Sequence, residues 1–294
     1  MAREATYRIV AGVIRCGFAA LGLRVHVRGA ERLPETGGAV LAGNHTGYLD
    51  FALLGYVGRR RGRWVRFLAK SGVFEVPGVG AAMRAMRHVP VDRVQGAGAL
   101  RGATRLVAAG EVVGVFAEAT ISRSLLVKPL APGAAAVAIR TGAPLVPVVA
   151  FGAHRVLTVD GRFSLRRRTP VLVRLGEPLH PAADADPVRV SAELRERMAT
   201  LLAETLREYP RAGADGAWWL PESWGGSAPA PEVAARLDAE ALAVLAARRA
   251  ARQRAGSTVS GSTVSRSTRS RWRPTRIRDL TVLRGAPTTS ATWE

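Results

Sequence analysis

His45 and Asp50 are separated by four residues in Asn44-His45-Thr46-Gly47-Tyr48-Leu49-Asp50, directly after an apolar run over residues 38–42 that reads as a strand. On a regular helix, positions five apart do not share a face. Across a loop that enters a helix, however, the Asp side chain can fold back onto the imidazole. A carboxylate that accepts the Nδ1 proton fixes the tautomer, leaves Nε2 free as a general base, and stabilises the imidazolium that forms. Such a pair suits activation of a substrate hydroxyl toward an acyl donor that is already reactive, such as a thioester. No enzyme nucleophile is then required.

Three further blocks stand in its company. Lys70-Ser71-Gly72-Val73-Phe74-Glu75-Val76-Pro77-Gly78-Val79-Gly80 is followed by Val89-Pro90-Val91-Asp92-Arg93. Its glycines and proline let a polar headgroup approach the backbone, and Arg93 offers a planar donor fork for phosphate. Val115-Phe116-Ala117-Glu118-Ala119-Thr120-Ile121-Ser122-Arg123-Ser124 brings Glu, Thr, Ser, Arg and Ser to the end of a buried strand, the composition of a polar site and not of a core. Val146-Pro147-Val148-Val149-Ala150 is an apolar strand able to form a wall.

In this order and at these intervals the four blocks resemble the glycerolipid acyltransferase superfamily, specifically its bacterial 1-acylglycerol-3-phosphate O-acyltransferases, over about residues 20 to 210. The resemblance implies that His45 is the general base and Asp50 its orienting partner. It implies that Arg93 binds the acceptor phosphate, that Glu118 with Thr120 holds the acceptor's glycerol, and that Arg123 and Lys128 add phosphate contacts. It further implies a lysophospholipid acceptor, acyl-CoA or acyl carrier protein as donor, no cofactor and no metal, and a place on the anionic cytoplasmic face of a membrane. The third block departs from the family's Pro-Glu-Gly-Thr-Arg form: Ala117 stands for Pro, Ala119 for Gly, and Ile121-Ser122 precede the Arg. Gly47 occupies a place where Ser is frequent, at the cost of one hydrogen bond.

Helical and apolar extended segments alternate along the chain, which predicts an α/β fold, a mixed sheet layered with helices. Strands are expected over 23–27, 38–42, 65–70, 89–91, 112–116, 145–151 and 171–175. Helices are expected over 49–57, 79–86, 98–109, 132–141 and 188–209, the last with Leu194, Met198, Leu201, Leu202 and Leu206 at helical spacing. The domain reading is an N-terminal helix over 1–22, a catalytic domain over 23–210, a Trp/Pro-rich segment and Ala-rich helix over 211–254, and a disordered basic tail over 255–294.

The first of these helices carries Ile9, Val13, Phe18 and Leu21 as one apolar side, with Arg3, Arg8, Arg15 and Arg24 available to headgroups. The pattern fits a core helix as well as an interfacial one, and the flanking Arg favour the interface. No apolar stretch reaches the roughly 18 residues of a membrane-crossing helix. Trp218, Trp219 and Trp224 suit either a membrane interface or the core.

The formal charge of +20 suggests an anionic partner. Lys occurs only at Lys70 and Lys128, so Arg supplies almost all of the basic residues, and residues 248–294 hold eleven Arg against Asp279 and Glu294. The catalytic part is only moderately basic, and no nucleic-acid module is recognisable. Two rival readings keep their place: the same chemistry on another lysophospholipid, a glycolipid or an aminolipid, and a non-enzymatic binder of anionic lipid or nucleic acid. Cys16, the single cysteine, excludes an internal disulfide and is expected to be a small buried hydrophobe. His88 and His154 lack a matched partner and read as structural, and His26 and His180 carry no assigned role.

Overall fold

A computed structural model of the chain describes residues 4–91, 96–118, 120–211 and 214–259. The described residues divide after Ala234 into two compact units. The first contains α1 (Ala5–Ala20), β1 (Arg24–Arg28), β2 (Ala39–Gly43), α2 (Asp50–Arg60), β3 (Val65–Lys70), α3 (Val79–Ala85), β4 (Val89–Val91), α4 (Gly96–Ala108), β5 (Val112–Val115), α5 (Gly133–Thr141), β6 (Leu145–Phe151), β7 (Pro170–Leu175) and α6 (Pro187–Glu208). A last helix, α7 (Pro231–Val259), begins at the end of this unit and makes up the described part of the second. It continues through Val259, past the expected tail boundary at residue 255. The rest of that tail lies outside the described residues.

The sheet has the order β1-β7-β6-β2-β5-β3-β4 and is mixed, as expected: every neighbouring pair is parallel except β6 and β7. β2 and β6 are apolar and buried at every position, which is the signature of central strands covered on both faces. Alternation then sorts their side chains. Val40, Ala42, Val113 and Val149 face a layer built by α4, α5 and α6, where Ala103, Ala138, Leu194 and Leu206 are fully buried. Ala39, Leu41, Val112 and Val148 face the other way, onto Leu53, Leu54 and Val57 of α2. The Trp/Pro-rich segment adds Ala214, Leu220 and Ala228 to the first of these cores. Trp218, Trp219 and Trp224 are half-buried, each with a guanidinium over its ring, from Arg162, Arg155 and Arg211.

α1 has two apolar sides, not one. Tyr7, Val10, Ile14 and Phe18 look inward at helical spacing, while Ile9 and Val13 are about two-thirds exposed. Phe18 therefore does not share a side with Ile9 and Val13 as the sequence reading had it. Cys16 is exposed, contrary to expectation, because it follows Ile9 and Val13 around the outward side. The helix is held at its N-terminal end. The Tyr7 hydroxyl donates to Val65 O at 2.6 Å, and Glu4 accepts from Arg66, whose buried guanidinium also reaches Glu111 and Met86 O.

Candidate active site

Two adjacent parallel strands end side by side, with Ala42 of β2 opposite Val115 of β5. His45 lies two residues beyond β2, and Glu118 three beyond β5. Ligand sites in sheets of this kind form outside the carboxyl ends of the strands, where the loops diverge. The sheet thus brings together two blocks that lie about 70 residues apart in sequence.

Asp50 is the first residue of α2 and is buried. Its Oδ2 accepts from Thr46 N at 2.6 Å and Gly47 N at 2.8 Å, and lies 3.1 Å from His45 Nδ1. A carboxylate at a helix N-terminus is favoured by the free N–H groups there, and these contacts fix the imidazole with Nδ1 inward. The ring also stacks on Phe116, with centroids 4.6 Å apart.

The loop is clamped from three sides. Asn44 bonds both the N–H and the carbonyl of Ala150 in β6. The Thr158 hydroxyl donates to Thr46 O, and Tyr48 N donates to Leu157 O. Gly47 is forced by this packing: a Cβ there would lie 2.8 Å from Leu157 O and 2.9 Å from His154 Cα.

Glu118 is buried, and its two oxygens accept from the main-chain N–H groups of His45 and Lys128. Burial pushes its carboxyl up to about 8, against the lowering effect of those two donors and the Lys128 charge. It ties the two loops together from inside the protein. Ser122 N adds a bond to His45 O. The Lys128 ammonium donates to Thr120 Oγ1, so these two candidate substrate contacts stand together. Arg123 forms a two-pronged ion pair with Asp160, at 2.9 and 3.1 Å, and so is occupied within the protein. Arg93 lies outside the described residues.

His88 and His154 are both pushed down to about 4, chiefly by burial. His88 Nδ1 accepts from Phe67 N. His154 Nδ1 accepts from Gly152 N and its Nε2 faces Trp219 O at 2.9 Å, an arrangement that suits a neutral ring with the proton on Nε2. Among the described residues no group of three or more His, Cys, Asp or Glu side chains could hold a metal ion.

His45 and Phe116 open onto a groove of about 650 Å³ lined by α1, α2 and α3, with Val10, Ile14 and Phe18 on one wall and Phe51, Tyr56 and Met83 among the others. Sequence reading missed this groove, since its walls come from helices whose mutual placement no local pattern gives. Asn44, Phe116, Ser122 and Thr158 also went unassigned there, although the first three lie inside or beside the motifs themselves.

A His–Asp pair on a loop beyond a parallel strand, its Asp buried and its His partly exposed, is clasped by a Glu from the loop after the neighbouring strand and opens onto an apolar groove, an arrangement that suits activation of a hydroxyl. Residues 24–150 match the Acyltransferase family. A 1-acyl-sn-glycerol-3-phosphate acyltransferase of Bacillus subtilis (strain 168) is 32% identical over 54% of this chain and 75% of its own length. The chain belongs to this acyltransferase family. A chloroplastic 1-acyl-sn-glycerol-3-phosphate acyltransferase of Brassica napus is 29% identical over 53% of the chain, but the match spans only 45% of that protein. The solved 1-acyl-sn-glycerophosphate acyltransferase of Thermotoga maritima shares the fold, with a TM-score of 0.59 at 24% identity over 71% of this chain and 83% of that one.

Proposed function

We propose that this chain transfers a fatty acyl group from a thioester to the free hydroxyl of 1-acyl-sn-glycerol 3-phosphate, giving phosphatidic acid. The observation that carries the reading is the His45–Asp50 pair, 3.1 Å apart, at the mouth of the apolar groove. His45 Nε2 takes the hydroxyl proton as the oxygen attacks the thioester carbon. The tetrahedral adduct collapses, the C–S bond breaks, and the imidazolium returns its proton to the departing thiolate of coenzyme A or of acyl carrier protein. Asp50 stabilises the imidazolium and holds the tautomer.

The groove suits the hydrocarbon of a substrate, and Thr120 and Lys128 supply a hydroxyl and a cation for the phosphate end. Glu118 acts as a positioning residue that sets the distance between the two loops. No helix among the described residues is long and apolar enough to cross a membrane. The outward Ile9 and Val13 and their neighbouring Arg suit an interfacial helix, and we assign the protein to the anionic membrane surface as a peripheral enzyme.

Thiol release from a long-chain acyl-CoA in detergent tests the reading, with 1-acyl-sn-glycerol 3-phosphate, glycerol 3-phosphate and a lysophosphatidylcholine supplied separately. Turnover is expected with the first alone, and His45→Ala is expected to lower it at least 100-fold. Turnover confined to another acceptor keeps the chemistry and replaces the substrate. Parent-like turnover of His45→Ala defeats the mechanism.

A further inference from the structure

The loop over residues 162–168 has no part in the mechanism, yet it carries an unusual surface. In Arg162-Phe163-Ser164-Leu165-Arg166-Arg167-Arg168, Phe163 is 62% and Leu165 64% exposed, among the highest values for any large hydrophobic residue in the protein. Phe163 lies in an isolated antiparallel bridge with Leu157, and residues 164–166 continue without regular secondary structure. Ser164, between them, is half-buried and donates its N–H to Val156 O, while the flanking Phe163 and Leu165 side chains are both open to solvent. Arg166, Arg167 and Arg168 follow, all exposed, with no acidic residue from 161 to 168 to neutralise them. Asp160, the nearest carboxylate in sequence, is taken by Arg123.

The loop is anchored on both sides to parts of the site. Phe163 pairs with Leu157, whose carbonyl accepts from Tyr48 N in the catalytic loop. Arg168 N donates to Leu21 O at the end of α1, and Arg24 N bonds Thr169 O, bringing a further exposed Arg alongside. An exposed apolar pair followed by three exposed Arg matches one kind of partner, a bilayer surface in which hydrocarbon lies directly beneath a layer of phosphates.

We infer that residues 163–168 are a second membrane anchor, in which Phe163 and Leu165 enter an anionic bilayer and Arg166, Arg167 and Arg168 bind its headgroups, seating the catalytic loop at the surface. The inference rests on the reading that the acceptor is a lipid, but its test does not need turnover. Sedimentation of the full chain with vesicles of equal parts phosphatidylglycerol and phosphatidylcholine is compared with vesicles of phosphatidylcholine alone. The Arg166→Gln/Arg167→Gln double variant is expected to lose roughly 25-fold in partition to the anionic vesicles and little to the neutral ones. The Phe163→Ser/Leu165→Ser double variant is expected to lose about tenfold on both.

Thermal melting of each variant should match the parent, and turnover on detergent-dispersed acceptor should stay within about twofold of it. A parent protein without turnover defeats the proposed reaction and leaves the partition result standing. Parent-like partition of both double variants overturns the anchor. So does a result in which the Arg substitutions abolish binding to duplex DNA while vesicle binding is unchanged.

Discussion

Asp50 Oδ2 carries the His45, Thr46 and Gly47 contacts together, while Oδ1 is buried without a hydrogen-bond partner among the described residues. An amide cannot reproduce that arrangement. In Asp50→Asn the NH2 group either faces three donors or is buried with no acceptor, and an unpaired buried polar group costs about 1–3 kcal/mol. The substitution should lower turnover at least 100-fold and also lower the melting temperature, whereas His45→Ala, at a partly exposed ring, should leave the melting temperature near the parent's. Equal stability of Asp50→Asn and the parent would show that a hydrogen-bond acceptor lies within reach of the buried NH2 group. Gly47 makes the complementary case. Its place favours Ser in the resembling family, and the loss of one hydrogen bond was the expected consequence. The packing reverses that logic, since any Cβ meets Leu157 O and His154 Cα below 3 Å. Gly47→Ser should therefore destabilise, by about 1–3 kcal/mol in denaturant unfolding, and a stabilised variant would contradict the packing described for this loop.

Among the elements, α1 depends on one buried cation. Arg66 joins Glu4 at the start of α1 to Glu111 ahead of β5, and it bonds Met86 O. Removing one partner of a buried ion network strands the others, and Arg66→Ala should cost about 3–5 kcal/mol by equilibrium unfolding. It should also loosen the wall of the groove. The expected result is a protein whose turnover falls further with long-chain donors than with short-chain ones; an equal fall would assign the effect to general destabilisation. Nothing in the sequence marked Arg66, one Arg among many, because its partners lie 45 and 62 residues away. The elements themselves were legible, since β2 and β6 carry unbroken apolar runs and α6 a clean helical stripe. The His45–Asp50 contact was legible too, because its two ends lie only five residues apart. What local pattern could not supply was the strand order, the reversal of β7 against β6, the α1 groove and the Arg123–Asp160 pair, all of which join distant segments.

Across the whole molecule, three buried titratable groups pull stability in opposite directions with pH. His88 and His154 are held at about 4 when folded, below the ordinary value of 6.5. Between those values the unfolded chain binds more protons than the folded one, so their contribution is complete above 6.5 and is lost as pH falls toward 4. Glu118 behaves in the opposite sense. Its folded value of about 8 lies above the ordinary 4.5, so the folded chain binds the extra proton, and stability declines as pH rises between the two. Each group contributes at most about 1.4 kcal/mol per pH unit within its window. From 4.5 to 6.5 the two histidines outweigh the single carboxyl, and above 6.5 the carboxyl acts alone. Unfolding free energy should therefore pass through a maximum near pH 6.5. In Glu118→Gln the decline between pH 6.5 and 8 should flatten while the acid limb steepens, because only the histidines then titrate there. A variant that keeps the parent's decline above pH 6.5 would mean that Glu118 is already ionised in the folded protein, held so by the main-chain N–H groups of His45 and Lys128.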